Sequence, residues 1–193
     1  MNLERAKENF KDHIATFTDY GNIKILDFKK PNSSEYRIRF LFEEDYCRLH
    51  ISGDLGELIA TNYNNMTYEK FSDFLNDVGY FEQKIDCCSR KIYYYDEDEA
   101  REKLTEMAKD NDWLLSSDKY PYESDDEERL NYIINDILYD FESETGIGSK
   151  GYDELNELED DVFEFAGDIG KKETGILELY MLAFKLAKKQ ISN

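Results

Sequence analysis

The chain has 193 residues, with 44 Asp and Glu against 24 Lys and Arg, for a net charge of −20. Apolar residues make up 40%, including 15 Tyr and 12 Phe, enough for a real core, so the high charge does not imply a disordered chain. No apolar run approaches the ~18 residues of a membrane span, the start MNLERAKENF is charged rather than leader-like, and three cysteines make a poor disulfide framework, so a cytoplasmic protein is expected.

In chain order, Leu3 to Ala15 places Leu3, Ala6, Phe10 and Ile14 on one side, which predicts an amphipathic helix. The turn Asp19-Tyr20-Gly21-Asn22 then leads into strand-like runs at Ile23–Lys29, Tyr36–Phe42, Cys47–Ile51 and Glu57–Tyr63. Glu43-Glu44-Asp45 reads as a hairpin loop and Gly53-Asp54-Leu55-Gly56 as a tight turn. Local order with short turns predicts a four-stranded antiparallel meander. Thr67 suits the N-cap of a helix over Tyr68–Asn76, and Tyr80–Cys88 reads as a second short helix. Ile92–Tyr95 is β-prone, and Asp96 caps a helix that carries Ala100, Leu104, Met107 and Ala108 and stops near Asn111.

Ser116–Tyr122, with Pro121, is the expected boundary between an α+β domain over 1–115 and an acidic helical region over 122–193. Ser124 with Glu127 makes a capping box, and Leu130, Ile133, Ile134, Ile137, Leu138 and Phe141 form an apolar stripe. Thr145–Gly151 is a glycine-rich break. Asp153 then caps a helix with Leu155, Leu158, Val162, Phe165 and Ile169 inward, and Ile176–Ile191 is a last helix ending in Lys185, Lys188 and Lys189. The fold class expected is α+β: an N-terminal helix, the sheet with packed helices, and an acidic helical half.

Between Glu123 and Asp168 there are 17 acids and only two bases, Arg129 and Lys150. Such a field repels nucleic acid and attracts proteins that bind it. If Glu123–Glu144 were a single helix, its nine acids would be spaced about 3.7 Å apart on average, close to the ~3.4 Å between phosphates along one DNA strand. Tyr132 and Tyr139 would add flat surfaces favoured at interfaces. The partner-binding candidates are Asp125, Asp126, Glu127, Glu128, Asp136, Asp140, Glu157, Asp160 and Asp161, as electrostatic contacts rather than catalysts.

Two catalytic readings compete with this. Glu157, Asp160, Asp161 and Glu164 could place three acids on one helical face for a metal-dependent nuclease, and Asp77, Glu82 and Lys84 superficially resemble an acid–acid–lysine set. A zinc site could be drawn from Cys47, His50 and Cys87-Cys88, although adjacent ligands lack the usual spacer. No phosphate loop or calcium loop is present in the sequence. The expectation is no cofactor and no catalytic residue.

The stretches Asp19-Tyr20-Gly21, Phe28–Tyr36 (FKKPNSSEY), Ile51–Gly56 (ISGDLG), Tyr80-Phe81 with Lys84, and Tyr93–Asp96 carry a resemblance. They resemble a family of small accessory proteins of bacteriophages, prophages and mobile elements that share a Ser-Gly-Asp-x-Gly turn after two strands. The resemblance runs through Asp110 and continues loosely to the final helix. Other members tend to carry a Trp-Pro-Gly stretch before that turn, where Phe42–Arg48 stands in this chain. In charge and size the chain is similar to phage DNA mimics and to anti-CRISPR proteins that occupy an effector's nucleic-acid channel. The resemblance implies a stoichiometric inhibitor of a basic, nucleic-acid-binding host defence nuclease, most concretely a type II CRISPR effector. A phage accessory protein with no defence target is the other form it allows.

Overall fold

A computed structural model describes residues 3–116 and 125–192. Most of Ser116–Tyr122, with Glu123 and Ser124, lies outside the described residues, and so does the expected capping box. In chain order the elements begin with α1 (Leu3–Phe10), β1 (Ile14–Asp19), β2 (Ile23–Lys29), β3 (Ile38–Glu43), β4 (Arg48–Gly53) and β5 (Leu58–Thr61). After a 3-10 turn at Phe71–Asn76 come α2 (Val78–Glu82), β6 (Ile85–Cys88), β7 (Tyr93–Tyr95), α3 (Glu97–Asp110) and α4 (Trp113–Ser116). The chain continues through α5 (Asp126–Ile137), α6 (Ser149–Asn156), two 3-10 turns, β8 (Lys171–Glu173) and α7 (Ile176–Ile191).

The α+β class is as expected, and the sheet is larger. Six antiparallel strands follow chain order, β1 to β6, and β7 pairs with β8 in a separate ribbon. The two additional strands have local reasons. Ile14, Thr16 and Thr18 are β-branched, so the helix expected to reach Ala15 stops at Phe10 and the chain enters β1 instead. Ala15 N–H in β1 donates to Gln190 Oε1 at 3.0 Å. The expected helix over Tyr80–Cys88 splits: Asp77 caps the short α2 through Tyr80 N–H, and Ile85–Cys88 joins β5 as an edge strand. The helix expected over Tyr68–Asn76 is a 3-10 turn.

The chain forms two compact units, Met1–Ile92 with Thr174–Asn193 (unit 1) and Tyr93–Glu173 (unit 2). Unit 2 is thus an insertion into unit 1, a division that falls elsewhere than Ser116–Tyr122. Within unit 1 the exit and return points are tied together: Thr174 N–H donates to Ile92 O at 2.8 Å, and its hydroxyl donates to Lys91 O at 2.8 Å. Within unit 2 the two ends pair as β7 and β8, Tyr93 opposite Glu173.

In unit 1, one face of the sheet is apolar by strict alternation. Leu26, Phe28, Ile38, Phe40, Phe42, Leu49, Ile51, Leu58 and Ala60 are buried with Phe71, Phe74, Phe81, Tyr180 and Phe184. Tyr180 hydroxyl donates to Leu55 O at 2.9 Å and Lys188 Nζ donates to Tyr68 O, Glu69 O and Ser72 Oγ, so α7 is pinned at both ends. The Ser-Gly-Asp-x-Gly turn is a staple. Gly53 has φ +145, and a Cβ there would lie 2.0 Å from Arg37 O; Asp54 Oδ2 accepts Tyr36 N–H at 2.9 Å. In unit 2, Trp113, Leu104, Ile133, Ile134, Ile137, Leu155, Val162 and Ile169 form a second core. Among the described residues no helix is long and apolar enough to cross a membrane.

Candidate functional site

The insertion holds almost all of the charge. Unit 2 has 27 acids against 8 bases, a net of −19, whereas unit 1 has 17 against 16, a net of −1. The acidic part extends beyond the segment from Glu123 to Asp168 to include α3, whose first turn holds Glu97, Asp98 and Glu99.

The 22-residue helix expected over Glu123–Glu144 does not form. Helix α5 has 12 residues, ~18 Å, and ends before the bridge between Glu142 and Gly146. It carries only four acids, Asp126, Glu127, Glu128 and Asp136, so a rod with the charge spacing of a DNA strand is absent. Tyr132 lies on α5 and Tyr139 beyond it; they are 45% and 71% exposed, and Lys150 Nζ sits 4.6 Å from the Tyr139 ring centroid.

Within this unit the structure sorts the candidate acids by whether the fold already uses them. Asp125 is the N-cap of α5, accepting Glu128 N–H at 2.9 Å. Asp126 lies 3.9 Å from Arg129 Nη1, and Glu128 accepts the Tyr132 hydroxyl at 3.5 Å. Asp136 also has an interaction partner. Asp140 caps α6 from outside the helix, accepting Lys150 N–H at 2.9 Å and Gly151 N–H at 3.0 Å. Those two N–H groups hold its carboxyl below the usual carboxylate range. Asp140 takes the capping role expected of Asp153, which falls inside α6.

Four of the nine remain: Glu127, Glu157, Asp160 and Asp161. Their carboxylates, with that of Glu164, have no hydrogen-bond or ion-pair partner among the described residues. Except for Glu127, all fall between the end of α6 and the last residue of the 3-10 turn Val162–Glu164. This stretch is not the expected helix. Asp161 adopts φ +57, and the turn that follows buries Val162 while leaving Phe163 71% exposed. Helical spacing sets Phe165 inward and leaves Phe163 off the apolar side, but residue type alone does not mark Phe163, between Asp161 and Glu164, as a contact residue. The intervening Glu159 has a structural role: it accepts Trp113 Nε1–H, and Asn111 Nδ2–H at 2.5 Å.

The catalytic constellations drawn from the sequence are not assembled. Asp77 is the cap of α2, Glu82 is the last residue of that helix, and Lys84 Nζ lies 4.4 Å from the Tyr80 ring centroid. His50 Nε2 is 2.8 Å from Glu43 Oε2, Cys47 ends a 3-10 turn, and Cys87 is exposed on β6. Among the described residues no three His, Cys, Asp or Glu side chains converge as a metal-binding group.

Fold and surface together define an α+β protein with a nearly neutral sheet unit and a strongly acidic inserted unit. Searches of protein-family models, of curated proteins and of solved structures find no match.

Proposed function

We propose that unit 2 binds the basic nucleic-acid-binding surface of a partner protein and that the chain acts as a stoichiometric inhibitor. The observation that carries this reading is the net charge of −19 on unit 2, in which Glu157, Asp160, Asp161 and Glu164 are unpartnered and lie close in sequence to exposed Phe163. A basic groove binding this surface gains from electrostatic steering, and the exposed Phe163 ring supplies an apolar anchor that such an interface would bury. Acids already used as caps contribute field but little specific contact. The resemblance to mobile-element proteins gives the reading its concrete form: an anti-CRISPR protein that competes for the positive channel of a type II effector nuclease.

The test is a titration of the purified protein into RNA-guided DNA cleavage by type II effectors, at low and raised salt. Inhibition with a break at one equivalent, weakening as salt rises, is the expected result. Reversing Glu157, Asp160, Asp161 and Glu164 to Lys removes it, while Asp125→Asn acts mainly on stability. Metal-dependent cleavage of labelled nucleic acid by the protein alone, lost on Glu157→Ala and Asp160→Ala, would overturn the inhibitor reading in favour of a nuclease. Partner affinities unchanged by charge reversal at every salt would point to an accessory protein whose acids only solubilise.

A further inference from the structure

Unit 1 carries a groove of about 360 Å³ that the acidic surface does not explain, lined by Asp27, Lys29, Arg37, Arg39, Ser52 and Glu57. The ladders set Asp27 opposite Arg39 and Arg39 opposite Ser52, one row across β2, β3 and β4 on the face away from the apolar core. Arg39 forms a two-point fork on Asp27, with Nε to Oδ1 at 2.8 Å and Nη2 to Oδ2 at 2.9 Å, so these two charges answer each other. Lys29 ends β2 and Arg37 immediately precedes β3, and both line the groove. Neither cation has an ion-pair partner among the described residues, and the Glu57 carboxylate and Ser52 hydroxyl are likewise without one.

We propose that this groove binds a sugar phosphate, with the phosphate between Lys29 and Arg37. A phosphate dianion answers both unpaired cations and offers the oxygens that ammonium and guanidinium groups take. The Ser52 hydroxyl adds a donor. Glu57, an acceptor only, is matched by a hydroxyl-bearing ligand and not by a bare anion. The volume falls in the ~300–1,000 Å³ range of small-ligand sites, yet the charged lining suits a hydroxyl-rich molecule rather than an apolar one. This assignment concerns unit 1 alone and stands apart from the inhibitor reading.

Calorimetric titration of the full chain with ribose 5-phosphate, inorganic phosphate and ribose tests it. Ribose 5-phosphate should saturate one site, tighter than inorganic phosphate, with ribose weakest. Lys29→Met and Arg37→Met should each weaken it about tenfold with an unchanged melting temperature. Glu57→Gln should weaken ribose 5-phosphate and leave inorganic phosphate unchanged. No saturable binding of ribose 5-phosphate up to about 10 mM, or equal affinity in the Lys29→Met and Arg37→Met variants, overturns the site. Inorganic phosphate binding as tightly as ribose 5-phosphate, or an equal effect of Glu57→Gln on both probes, overturns the sugar part of the assignment.

Discussion

Unit 1 buries eight phenylalanines between a six-stranded sheet and α7 and carries a net charge of −1, whereas unit 2 closes around Trp113 and aliphatic side chains and carries −19. Unit 2 must hold together against its own repulsion with a smaller core. It does so partly by giving acids structural work: Asp96, Asp125 and Asp140 cap helices, and Glu159 satisfies the buried indole of Trp113. The comparison separates charge that the fold consumes from charge that faces outward with nothing to answer it. The second kind, which includes Glu157, Asp160, Asp161 and Glu164 and also Glu102 and Glu106 of α3, is available to a partner.

The largest expected effect breaks unit 2 alone. Trp113 is fully buried, so Trp113→Ala should cost about 3–5 kcal/mol. Hydrogen exchange should then show lost protection in α3 and α5 with β2, β3 and β4 retained; an equal loss in both units would erase the distinction between them. A smaller effect follows from the charge partition. Raised salt should screen the repulsion and lift the melting temperature of unit 2 by about 2–4 °C, leaving unit 1 nearly unchanged, as read by residue-resolved exchange. Parallel shifts in both units would contradict the partition.

The smallest effects separate the units by pH. His13 in unit 1 is buried, which pushes its pKa below the usual 6.5 against the opposing pull of its contact with Tyr36 O. The unfolded chain therefore takes up the proton first, and unit 1 should weaken as pH falls below 6.5, a step that His13→Gln removes. Asp140 in unit 2 is held below 3.8, so its contribution is present above that value and lost as pH falls further. The stability gap between the native chain and Asp140→Asn should close only in that acid range. Thermal melts across pH read both windows, and a gap that closes near neutrality would remove Asp140 from its capping role.

Much of the fold is legible in local pattern. Strands β3 and β4 alternate cleanly and β2 weakly, Asp96 is a cap followed by an apolar-periodic run, and α7 has the length and composition of a core helix. Strands β1 and β6 are not legible locally, because Ile14 also fits the helical face of α1 and Cys87-Cys88 has no clear alternation. The division into units was missed because it is not local: α7 is the last element in sequence and returns to the first core, which only long-range packing specifies. The candidate site was half legible, since composition marks where acids lie and says nothing of which carboxylates meet an N–H.

The α+β class, the alternating strands, the apolar final helix and the concentration of acids between Glu123 and Asp168 are all written in residue type and short spacing. Long-range packing makes the acidic part an insertion with its ends tied together, gives Asp140 and Glu159 to the fold, and leaves Glu157, Asp160, Asp161 and Glu164 unpartnered and Phe163 exposed. The physical reason is that a carboxylate's role is set by the donors within ~3 Å of it, and those donors come from residues far away in the chain.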